Sequence, residues 1–102
     1  MKISKTSHFW LSSEDLRDLD RTFCSFPTLK KVILYGSRAK WNYKKWSDID
    51  IAISGNTEMH LLKNALSDTH IPYKMDVCNF DTLKQWPFRA EIEKYGAVIF
   101  EQ

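Results

Sequence analysis

Val32-Ile33-Leu34-Tyr35-Gly36-Ser37, ten residues beginning with Arg38, then Asp48-Ile49-Asp50-Ile51-Ala52-Ile53: this stretch decides how the chain folds. Its two apolar runs read as strands, the first about Lys31 to Tyr35 and the second about Asp48 to Ser54. The unbroken apolar character of the first implies burial on both faces and a central place in a sheet. Side chains alternate along a strand, so Ile49, Ile51 and Ile53 share one face while Asp48, Asp50, Ala52 and Ser54 share the other. A glycine-serine turn leaving a buried strand offers backbone N–H groups and a hydroxyl to an anion. Two carboxylates side by side on the next strand repel unless a cation joins them. A phosphate cradle facing a cation clamp describes a nucleotide site.

The flanking sequence continues the alternation of helix and strand. Ser12 is placed to cap a helix from about Ser13 to Cys24, with Glu14 and Asp15 in its first turn and Leu16, Leu19 and Phe23 on one face. A short helix is expected from Ser37 to about Lys40, and a polar-aromatic connection from Trp41 to Ser47. After a turn at Ser54-Gly55-Asn56, Asn56 or Thr57 should cap a helix to about Ser67, with Met59, Leu62, Ala65 and Leu66 as its apolar stripe. Pro72 marks a break, and a third strand runs from about Tyr73 to Cys78, with Met75 and Val77 on one face and Lys74, Asp76 and Cys78 on the other. A last helix from about Pro87 to Tyr95 closes on Gly96 as its C′ residue, and Ala97 to Phe100 forms a final strand. The expected fold class is α/β (α+β): an α/β layer pair built on a small mixed sheet, in a single domain spanning residues 1–102.

Asp76 falls on the same face of its strand as Asp48 and Asp50 do on theirs, so the three carboxylates cluster if the strands are neighbours in suitable register. An oxygen-only cluster suits Mg²⁺, with Mn²⁺ as an alternative. Two such ions ~3.5–4 Å apart stabilise the attacking and leaving oxygens of an in-line displacement at phosphorus. Gly36 and Ser37 would hold a triphosphate tail, and Arg38 would offset further phosphate charge.

These residues resemble a known family. Gly36-Ser37, ten residues, then Asp48-Ile49-Asp50, with Asp76 later, resembles the signature of the DNA polymerase beta-type nucleotidyltransferases. The small size and the ending Arg89-Ala90-Glu91-Ile92-Glu93-Lys94-Tyr95-Gly96-Ala97-Val98-Ile99-Phe100 are similar to the minimal nucleotidyltransferases, over roughly Ser13 to Glu101. The resemblance implies transfer of a nucleoside monophosphate from ATP or another NTP to an acceptor hydroxyl, with pyrophosphate released. It implies Mg²⁺ on Asp48 and Asp50, with Asp76 helping to bind metal and activate the acceptor. Minimal members often pair with a co-encoded small helical HEPN protein, as antitoxin to a ribonuclease whose tyrosine receives AMP, which implies a hetero-oligomer. The alternative within this reading is a nucleotide-binding subunit that neutralises its partner by contact alone. Where many relatives carry a glycine- and proline-rich turn, this chain has the bulkier and more basic Lys40-Trp41-Asn42-Tyr43-Lys44-Lys45-Trp46.

That loop could stack bases, dock a partner, or cover the core with its aromatics while its lysines stay solvated. A formal charge of +2 is too small to argue for nucleic acid or a membrane surface by itself. No apolar run approaches the ~18–20 residues of a membrane span, and the N-terminus lacks a secretory signal's apolar core. Cys24 and Cys78 match no zinc or redox spacing and are expected as two buried free thiols, in keeping with a cytoplasmic protein. His8, His60 and His70 show no ligand spacing, and Lys74 shares the aspartates' face beside Asp76.

Overall fold

The computed structural model describes residues 12–36, 48–71, 73–83 and 86–102. The expected Ser37–Lys40 helix, the Trp41–Ser47 connection and the break at Pro72 lie outside these residues. The described elements are α1 (Ser13–Cys24), β1 (Leu29–Tyr35), β2 (Ile49–Gly55), α2 (Met59–Ser67), β3 (Met75–Asn79), a 3-10 turn (Phe80–Thr82), α3 (Trp86–Tyr95) and β4 (Ala97–Glu101). The four strands form one mixed sheet in the order β3-β2-β1-β4. β1 runs antiparallel to both β2 and β4, while β2 and β3 are parallel.

Each face of the sheet has its own apolar cluster. Val32 and Leu34 of β1 join Ile49, Ile51 and Ile53 of β2 beneath Leu19 and Phe23 of α1 and Leu62 and Leu66 of α2. Phe23 and Phe100 meet there, with ring centroids 5.3 Å apart. Ile33, Tyr35 and Ala52 face the other way and pack against Ile92 of α3. The layer pair expected from sequence is therefore completed by α3 as a third layer. That layer is the physical reason β1 lacks a polar face.

α1 begins as its sequence dictates. The Asp15 N–H donates to Ser12 Oγ at 3.0 Å, and the Asp15 carboxylate accepts from the Ser12 N–H in return, a reciprocal cap. α2 does not begin where expected: Glu58 is its N-cap, without a side-chain cap bond, and neither Asn56 nor Thr57 takes that role. The Thr57 hydroxyl is buried with no hydrogen-bond partner among the described residues. β1 starts two residues before its expected position, because a bulge between Leu29 and Lys31 breaks the period-two pattern that would announce it.

Two local expectations are corrected. Gly96 follows α3 and donates its N–H to the Ile92 carbonyl at 2.8 Å, but its backbone is not in the left-handed region. Glycine is needed there for space: a Cβ would overlap the Ile92 carbonyl oxygen and come within 2.6 Å of Ile33 Cγ2. The thiols are free, yet only Cys78 is partly buried. Cys24 is exposed, since it ends α1 one position beyond the stripe that carries Phe23.

Candidate active site

The sheet register brings the two strand aspartates together. Tyr35 pairs with Asp50 across β1 and β2, and Asp50 pairs with Asp76 across β2 and β3. All three side chains therefore emerge in one row on one face of the sheet. Asp50 is half-buried while Asp76 is exposed. Asp48 precedes β2 and is exposed, and the next residue, Ile49, donates its N–H to the Lys74 carbonyl at 2.8 Å. The expected clustering of three carboxylates is not closed: among the described residues no group of three or more His, Cys, Asp or Glu could hold a metal ion. The donor chemistry still suits Mg²⁺, which uses one or two carboxylates plus substrate phosphate oxygens in preference to an all-protein cage.

Gly36 ties the turn to this row. It leaves β1 at φ +78°, a conformation other residues avoid, and a Cβ there would overlap Asp50 Oδ2. The backbone of the turn thus lies against the carboxylate it would have to cooperate with. Ser37 and Arg38, expected with Gly36 to hold phosphate, lie outside the described residues, as does the Lys40–Trp46 loop. Lys74 Nζ stands 3.9 Å from Asp76 Oδ1, an exposed and therefore weak pairing.

Sequence reasoning missed Tyr35. Its ring reaches across β2, and its hydroxyl lies 3.6 Å from Cys78 Sγ on β3, two positions beyond Asp76 on the same face. Burial, with the Cys78 contact and the Asp50 and Asp76 charges, pushes the Tyr35 phenol above the ordinary tyrosine value. A neutral hydroxyl thus stands behind the carboxylate row. The raised value means its contribution to stability is fully present below about pH 10 and is lost as pH rises through the folded-state value. Tyr35→Phe should cost about 0.5–1.5 kcal/mol at pH 7. It should also flatten the fall in stability above pH 10, as read by urea unfolding across pH 8–11. The only signal in the sequence is the tyrosine's place at the end of an apolar strand.

Asp81 and Arg89 brace the neighbouring corner, and neither stands out from sequence. Ser54 Oγ and the Gly55 N–H donate to the two Asp81 carboxylate oxygens at 2.8 and 2.9 Å, tying the end of β2 to the 3-10 turn. Those bonds, the backbone one foremost, hold the Asp81 carboxyl below its ordinary value. Arg89 Nη1 donates to the Phe80 and Leu83 carbonyls at 2.9 and 3.2 Å, and its guanidinium lies 4.3 Å from the Phe80 ring centroid. Because the Asp81 value is depressed, its contribution is present above about pH 4 and lost as pH falls through the folded-state value. Asp81→Asn should therefore lower the melting temperature at pH 7, and the difference from the parent should close toward pH 3.

A profile of the family described as "Polymerase beta, Nucleotidyltransferase" matches residues 17–102. The chain is 34% identical over 76 residues to the Haemophilus influenzae protein named "Probable protein adenylyltransferase MntA", a match spanning 70% of this chain and 66% of that protein. In fold it is similar to a chain from the crystal structure of a toxin–antitoxin with AMP-PNP, at TM-score 0.69 and 16% identity, covering 86% of this chain and 74% of the other. It is also similar to a candidate nucleotidyltransferase from Sulfolobus solfataricus, at TM-score 0.56 and 19% identity, covering 87% and 78%. Among the described residues no helix is long and apolar enough to cross a membrane. With residues 17–102 matched by the family profile, the chain belongs to the polymerase beta nucleotidyltransferase family.

Proposed function

We propose that this protein transfers AMP from ATP to a hydroxyl, a tyrosine in the first instance, of a co-encoded small helical HEPN protein, and so acts as that protein's antitoxin. The observation that carries the reading is the Asp50–Asp76 pair in register beside the Gly36 turn. The similarity to a protein adenylyltransferase supports a protein as acceptor. Asp48 and Asp50, with Asp76, would hold Mg²⁺, two ions in the full site, which supply charge neutralisation at the phosphates when bound. Gly36, Ser37 and Arg38 bind and orient the triphosphate. Asp76 takes the proton of the acceptor hydroxyl as its oxygen bonds to the α-phosphorus; the bond to the bridging oxygen breaks and pyrophosphate leaves. ATP supply and reduced Cys24 and Cys78 thiols both suit the cytoplasm.

Intact-mass analysis of the co-encoded protein after incubation with this one and MgATP tests the reading. A gain of whole AMP units, absent with Asp48→Asn/Asp50→Asn, is the expected result. Neutralisation of the partner by the double variant, without any mass gain, would replace it with silencing by contact alone.

A further inference from the structure

β3 is an edge strand of the sheet, and among the described residues no strand pairs with its outer side. The bond from the Ile49 N–H to the Lys74 carbonyl turns the main chain of Lys74 toward β2, and by alternation that of Asp76 and Cys78 too. Met75 and Val77 therefore aim their N–H and C=O groups outward. No hydrogen bond among the described residues reaches those outward groups. Such an edge is a template for another extended chain.

A groove of about 480 Å³ runs alongside it, between β3 and the end of α2. Leu66, Ile71, Met75 and Val77 supply its apolar wall, and the charged Lys63, Lys74 and Asp76 also line it. The groove and the candidate active site thus share Asp76. We infer that an extended segment of the acceptor protein adds to the edge of β3 as a fifth strand, bonded to the Met75 and Val77 main chain. This rests on the reading that the acceptor is a protein.

Strand addition also explains how a hydroxyl would arrive. A residue directly opposite another in a neighbouring strand lies about 4.5–5.5 Å from it and faces the same way. The segment residue opposite Asp76 would project onto the carboxylate face, beside Asp76. Its neighbours on the segment would turn into the apolar groove, where backbone bonds supply affinity and alternate side chains supply selection. Lys63, lining the groove, favours an acidic residue on the groove-facing side.

Two measurements on the complex with the co-encoded protein test this. Amide hydrogen exchange should slow at Met75 and Val77 when the partner is added, while Asp76 and Cys78, already bonded to β2, serve as internal controls. Lys63→Glu and Ser67→Trp, both exposed on α2 and outside the catalytic row, should raise KM for the partner roughly tenfold while kcat and ATP affinity hold. AMP transfer with unchanged exchange at Met75 and Val77 would overturn the docking inference and leave the proposed function standing. Protection at both amides without AMP transfer would do the reverse. Protection that grows with this chain's own concentration, without partner, would assign the edge to a second copy and overturn the inference. Failure of the partner to bind at all would also overturn it.

Discussion

Replacing Asp50 by Asn should lower nucleotidyl transfer by roughly a thousandfold and remove most of the stability that Mg²⁺ adds to the fold. The two halves of this result have one cause. Asp50 and Asp76 stand directly opposite each other in the parallel β2–β3 pair. Like charges facing each other across strands oppose folding, by about 0.2–1 kcal/mol. Asparagine keeps the shape of Asp50, removes one of the two charges and with it the reason to bind a cation. The parent should therefore gain stability with Mg²⁺, about 2.7 kcal/mol when the ion is at a hundred times its Kd, and the variant should gain much less. Thermal unfolding with and without Mg²⁺, run beside initial-rate transfer, separates the cases. A variant that gains as much stability from Mg²⁺ as the parent does would show that Asp50 does not hold the cation.

Gly36→Ala should cost activity by a different route, on the order of a hundredfold. At φ +78° an alanine pays roughly 1–2 kcal/mol in backbone strain alone. Its Cβ would also overlap Asp50 Oδ2, so the carboxylate must swing away. A displacement of about 1 Å in a catalytic group is worth on the order of a hundredfold in rate. The side-chain part can be isolated. On an Asp50→Ala background the overlap has no partner, so only the backbone cost should remain, and the two substitutions should be non-additive in denaturant unfolding. Strict additivity would mean that the turn and the carboxylate do not press on each other in solution.

Much of the architecture is legible in the residues themselves. α1 is written from cap to last residue by Ser12, Asp15 and the spacing of Leu16, Leu19 and Phe23, because helix termini and stripes are local properties. The central position of β1 follows from its lack of a polar face, and the split of β2 into an isoleucine face and an aspartate face follows from period two. Local chemistry is less legible where geometry overrides it. The bulge near Leu29 hides the start of β1, and Glu58 caps α2 although Thr57 is the better capping type.

By itself, then, the sequence determined which residues could take part: a glycine at the end of a buried strand, aspartates alternating on two strands, and helices enough to cover them. Only the tertiary structure decided which of them meet. The register that sets Tyr35, Asp50 and Asp76 in one row depends on strand pairings far apart in the chain. The reach of Tyr35 to Cys78 and the brace of Asp81 on Ser54 and Gly55 depend on the same pairings. No local pattern encodes them, since a one-residue slip in either pairing would send every side chain of a strand to the opposite face. The packing of both faces of β1, with α1 and α2 on one side and α3 on the other, is what forbids that slip.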